Sequence, residues 1–80
     1  MIIIMNELLS SSLNSVFAVE QLFDEINKTK DKNIILDFSG IQFTALTFAQ
    51  AYVACKKHTK KNITEIHVNE ENNIMLNILA

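Results

Sequence analysis

Eighty residues with one cysteine, one glycine and a net charge of −2 make a single domain, exclude an internal disulfide framework and give no long-range attraction toward nucleic acid or anionic membrane. All cationic side chains are lysine, so bidentate gripping of phosphate is excluded as well. Apolar residues make up 49%, generous for a chain that buries only about 60–65% of its unfolded surface, and this points to apolar surface committed to a partner.

Ile2 to Met5 open the chain as a β-branched run too brief for a helix and suited to a strand. The run is also too short for a membrane span and lacks the basic start and cleavage site of a signal peptide. With a lone cysteine, the expected location is the cytoplasm. Ser10, Ser11, Ser12 and Asn14 then supply loop and capping chemistry. A helix is predicted from about Leu13 or Ser15 to Asn27, with Val16, Val19, Phe23 and Ile26 as its apolar stripe.

Ile34, Ile35 and Leu36 run without a polar interruption, the pattern of a strand covered on both faces in a parallel sheet. After Asp37 and a turn at Gly40, a second helix is predicted from Thr44 or Ala45 to about Lys57. Ile63 to Val68 alternates as a third strand, with Ile63, Glu65 and His67 on one side. Asn69 is placed to cap a last helix, Glu70 and Glu71 suit its positive end, and Ile74, Leu76, Ile78 and Leu79 fill it. The order β-α-β-α-β-α predicts an α/β fold: a small open sheet of three or four mainly parallel strands with helices packed on it.

Enzyme signatures are sparse. Gly40 stands alone, so there is no glycine-rich phosphate loop. Cys55 and His58 would supply two of the four ligands of a zinc site, with His67 the only obvious third. A buried cysteine and a solvated histidine is the preferred account, and neither metal nor other cofactor is expected. Asp37 ends a buried strand, where ligands often meet α/β sheets, with Ser39 and Gly40 completing the junction. The competing and preferred account is a carboxylate that accepts N–H groups of its own turn and fixes the strand's exit. Lys56, Lys57, Lys60 and Lys61 complement the negative end of the second helix. Without arginine and exposed aromatics they do not make a nucleic-acid footprint.

The second helix carries Ala45, Leu46, Phe48, Ala49, Ala51, Tyr52, Val53, Ala54 and Cys55, which cover more than the roughly 100° stripe that a surface helix needs. Either another element of the chain covers its second side or another protein does; on the second account Phe43, Thr44, Leu46, Thr47, Phe48, Ala49 and Tyr52 are the candidate interaction surface. A phosphoryl group on Thr44 or Thr47 would meet free backbone N–H groups at the helix start. Capping accounts for one of these two hydroxyls.

The segment Ile34-Ile35-Leu36-Asp37-Phe38-Ser39-Gly40-Ile41-Gln42-Phe43 resembles the strand-and-turn segment of STAS domains, which include bacterial anti-sigma factor antagonists. Thr47-Phe48-Ala49 resembles the Ser-Phe-Ala segment of an uncharacterised bacterial STAS-like family, and Val68-Asn69-Glu70-Glu71-Asn72 with Ile74 resembles that family's entry into its last helix. The likeness covers residues 33 to 79 well and 13 to 32 by pattern. It implies a non-enzymatic switch that docks on a GHKL-type ATPase kinase, with Thr47 at the phosphorylated position. The antagonists' Asp-Ser-Ser-Gly run is Ala45-Leu46-Thr47-Phe48 here. The chain is shorter at its N-terminus than a full STAS domain, which has further β structure there, and a missing edge strand would leave an edge open to a partner or a second copy. Two other readings stand beside the docking module: a sensor that holds a small anion such as a nucleotide at Asp37 and Thr47, and a homo-oligomeric unit such as a homodimer.

Overall fold

Residues 1–80 are described by a computed structural model. The chain opens with strand β1 (Ile2–Ile4), one helical turn α1 (Met5–Leu8) and a two-residue strand β2 (Ser12–Leu13). Helix α2 (Val16–Lys28) leads to strand β3 (Asn33–Asp37), and a second two-residue strand β4 (Phe43–Thr44) leads into helix α3 (Leu46–His58). Strand β5 (Asn62–Ile66) and helix α4 (Glu70–Leu79) complete an α/β fold of parallel strands.

Side-chain oxygens start two of the helices. Ser15 Oγ accepts from the Ala18 N–H at 3.2 Å and Asn69 Oδ1 from the Asn72 N–H at 2.8 Å. Each replaces an acceptor that the first turn lacks. The buried side of α2 is Val19, Leu22, Phe23 and Ile26, whereas Val16, expected in that stripe, lies exposed in the first turn. The serine-rich stretch expected to be loop contains β2, which pairs in parallel with β4 through Ser12–Phe43 and Leu13–Thr44. That pairing holds the starts of α2 and α3 side by side.

The main sheet has the order β1-β3-β5, all parallel. Ile3, Leu36 and Glu65 form one row across it; Ile2, Ile35 and Thr64 form the next. Paired residues share a side, and successive rows alternate sides. Strand order follows chain order, so both crossovers step the same way across the sheet. Right-handed crossovers in one direction put their helices on one side. The side bearing Ile3, Ile34 and Leu36 is buried in one core with Val19, Leu22, Phe48 and Tyr52 of α2 and α3. α4 returns to the same layer against α3.

The other side is open. Ile2 is 63% and Ile4 40% exposed, Ile35 and Ile66 are half-buried, and none of the four packs against the core. This corrects the expectation of a strand covered on both faces: Ile34 and Leu36 are fully buried, while Ile35 between them lies on the uncovered side.

The two sides predict different costs of truncation. Leu36→Ala opens a cavity in the core and lowers the unfolding free energy by about 3 kcal/mol. Ile2→Ala, in dilute protein, changes it by less than about 0.5 kcal/mol. Urea denaturation of the two variants checks this; equal losses would mean that the open side is in fact packed.

Candidate functional site

Three of the sequence-predicted positions meet at the carboxyl end of β3. Asp37 Oδ1 accepts the Ser39 N–H at 2.9 Å and the Ser39 hydroxyl at 2.7 Å. Gly40 follows at φ 79°, a left-handed conformation that disfavours other residues. A Cβ there would also come within 2.9 Å of Asn6 Nδ2. A fourth residue joins them that the alternation of β5 concealed. His67 leaves the strand at φ 57°, and its Nδ1 lies 3.0 Å from Asp37 Oδ1 and 3.1 Å from Ser39 Oγ. The Ser39 hydroxyl, the His67 ring and the Ser39 N–H, in that order, stabilise the carboxylate and hold Asp37 down from its ordinary 3.8 to about 2.

Aspartate, histidine and serine together invite comparison with a nucleophilic triad, and the geometry is wrong for one. A triad needs the imidazole between hydroxyl and carboxylate, one nitrogen to each. Here the same nitrogen faces both, and the serine hydroxyl donates to the carboxylate. The cluster is a clasp between the ends of β3 and β5. It is also unsuited to an anion, because its carboxylate stays charged. Nor does the sheet offer a ligand crevice: such crevices form where strand order reverses, and β1-β3-β5 never reverses.

The candidate interaction surface divides. Thr44, Phe48, Ala49 and Tyr52 are buried, which corrects their assignment to a docking face. α3 lies between α2 and α4 and above the sheet, so its broad apolar circumference is used within the molecule. Phe48 and Tyr52 stack with ring centroids 6.0 Å apart, and Phe23 of α2 reaches Tyr52 at 6.0 Å. The Tyr52 hydroxyl donates to Glu65 Oε2 on β5, and Lys56 Nζ reaches the same oxygen at 2.7 Å. Burial, followed by the neighbouring Glu65 carboxylate, pushes the Tyr52 hydroxyl well above the ordinary phenol range.

Phe43, Leu46 and Thr47 remain at the surface. Neither threonine caps α3: the N-cap is Ala45, with no side-chain bond, and the Thr44 hydroxyl is buried without a partner. The first-turn N–H groups of α3 thus lack the side-chain acceptor that α2 and α4 possess. Beside this start lies a groove of about 280 Å³ between Leu46 and the outer side of α4, walled by Ile74, Met75, Ile78 and Leu79 with Glu71 at its lip. Leu46 is 53% and Ile78 76% exposed. Ile74 and Ile78 are legible as helix residues, yet a spacing of four marks a stripe without saying whether the molecule covers it.

Of the clustered lysines, Lys56 is paired with Glu65, and Lys61 donates to the carbonyls of Thr29 and Asp31, both at 2.7 Å. No group of three or more His, Cys, Asp and Glu side chains is placed to hold a metal, and no helix is long and apolar enough to cross a membrane. No family model matches the chain, and neither a curated protein nor a solved structure matches it.

Two titrations follow from this geometry. Because folding lowers the pKa of Asp37, its contribution to stability is complete above the ordinary value of 3.8 and is lost as pH falls toward about 2. Asp37→Asn should abolish that part of the acid dependence, and Ser39→Ala should move the Asp37 carboxyl midpoint, followed by NMR, upward more than His67→Ala does. A midpoint near 3.8 in the unaltered protein would show that the clasp is not formed. At the alkaline end, the single tyrosine should show no tyrosinate absorbance until helical circular dichroism is lost. Ionisation in the folded protein at the ordinary phenol value would place Tyr52 outside the core.

Proposed function

We propose that the chain is a non-enzymatic STAS-like interaction module whose partner docks at the start of α3 and the adjoining outer side of α4. The observation that carries this reading is the apolar groove of Leu46, Ile74 and Ile78 beside the exposed Thr47, at a helix start that no side chain caps. The likeness of residues 33–79 to STAS-like proteins supports the same end of α3 as the regulated one. The partner is a GHKL-type ATPase that transfers the γ-phosphoryl group of ATP to the Thr47 hydroxyl, with ADP leaving and the hydroxyl proton released. A phosphate on this second residue of the helix lies within reach of the free first-turn N–H groups and the positive end of the dipole. Its charge beside an apolar groove then disfavours docking and releases the partner. The anion-sensor reading has weaker support, because the charged Asp37 carboxylate would repel its ligand.

The test mixes the purified chain with a GHKL-type ATPase encoded beside it. Leu46→Lys and Ile78→Lys should each weaken the complex at least about tenfold, the scale of losing a central apolar anchor, with circular dichroism unchanged. With ATP, intact mass should gain one phosphoryl group that Thr47→Val does not acquire. A complex indifferent to both lysine variants would reject the docking surface. An unmodified chain beside an ATPase active on ATP would reject the switch.

A further inference from the structure

The open side of the main sheet is a second surface, separate from the groove on α4. An all-parallel sheet is normally covered on both faces, and a sheet with one face in water alternates to polar residues on that face. This sheet does neither. Its uncovered side presents Ile2, Ile4, Ile35 and Ile66 around Thr64, without lysine or glutamate among them. Charged and amide groups are confined to the two ends, and the Thr64 hydroxyl is the one polar group between them. Asn33 and Asn62, joined by an amide–amide bond of 3.2 Å, sit at the amino end, and Asp37 with its His67 partner sits at the carboxyl end.

We infer that this face is the interface of a homodimer, in which the sheets of two copies pack face to face about a two-fold axis lying across the strands. The charge pattern selects both the occupant and the orientation. A face whose middle is uncharged meets its own copy without opposed charges. With strands running oppositely in the two copies, the Asp37–His67 end of each lies over the Asn33–Asn62 end of the other, so a carboxylate meets amide donors. The alternative two-fold, along the strands, would set Asp37 against Asp37. Three strands about 4.8 Å apart and five residues at about 3.3 Å give a flat footprint on the order of 230 Å², which rim side chains enlarge. That is well below the roughly 800 Å² per partner of a standard interface. The dimer is therefore a weak, concentration-dependent one, with a dissociation constant on the order of 0.1 mM.

Sedimentation equilibrium and methyl NMR across a dilution series test this on the unaltered chain. The expected result is a monomer–dimer equilibrium in which the methyl signals of Ile2, Ile35 and Ile66 shift with concentration while that of Ile78 stays fixed. Ile2→Lys and Thr64→Lys lie at exposed positions on the two opposite edge strands, and each should weaken the dimer at least about tenfold. A chain that remains monomeric at millimolar concentration overturns the inference. So does a dimer weakened by Ile2→Lys alone, which would mean edge-to-edge pairing of β1, or one weakened only by Ile78→Lys, which would place the contact on α4. Should a lysine variant fail to fold, the methyl shifts of the unaltered chain decide the matter by themselves.

Discussion

With β1, β3 and β5 standing in chain order, each right-handed crossover steps the same way, and both connecting helices land on one side of the sheet. Most other features of the molecule follow from that winding. One helix layer forms, with α3 in its middle: α2 on one flank, α4 on the other, the sheet beneath. A helix so placed needs apolar residues around most of its circumference, and Phe48, Ala49, Tyr52 and Val53 supply them. The same winding leaves the opposite side of the sheet bare and forms no crevice at a reversal of strand order. An apolar α3 and an uncovered row of isoleucines are therefore two results of one topology.

Strand β5 shows what this arrangement must compensate. It has a single hydrogen-bonded neighbour and no fully buried residue, so apolar burial contributes less to its retention than it does for β3. Polar links do the rest along its whole length. At its start Lys61 donates to two carbonyls of the α2–β3 turn, and Asn62 bonds to Asn33. At its middle Glu65 collects the Tyr52 hydroxyl and the Lys56 ammonium. At its end His67 closes on Asp37. The serine, histidine and aspartate that would attract a catalytic interpretation are joined in a clasp at the end of this strand. They pin an edge strand whose backbone would otherwise be free to fray.

Much of the fold is legible in the residues because its signals are local. Ser15 and Asn69 announce helix starts, the spacing of Val19, Phe23 and Ile26 gives a buried stripe, and the short, mostly β-branched run Ile34-Ile35-Leu36 between polar residues reads as a strand. What stays hidden is relational. Ile35 is the same residue whether a helix covers it or water does, and only strand order decides. β2 and β4 have two residues each and no period to detect; their pairing is a tertiary fact. In sequence His67 continues the alternation of β5, which its left-handed backbone breaks. The docking face is misplaced by the sequence for a related reason. A broadly apolar helix is ambiguous between a partner and two flanking helices, and here Phe48, Ala49 and Tyr52 belong to the second case. The surface that survives, Leu46 with Ile74 and Ile78, joins residues from two helices, which no single-segment pattern contains.

The two proposed surfaces lie on opposite layers, and that separation bears on the proposed switch. A contact through the bare sheet leaves the α3–α4 groove of each copy facing outward, so pairing of copies and docking of a partner do not compete for the same atoms. A dimer of this kind presents two grooves and two Thr47 hydroxyls at once. Toward a partner that itself carries two sites, the second contact becomes intramolecular and gains from effective concentration rather than from new chemistry. A weak sheet interface is then an asset. It would add avidity only where the chain is concentrated, and under the proposed switch a phosphate on either Thr47 would remove one of two linked contacts, grading release by how many of the two helix starts carry the charge.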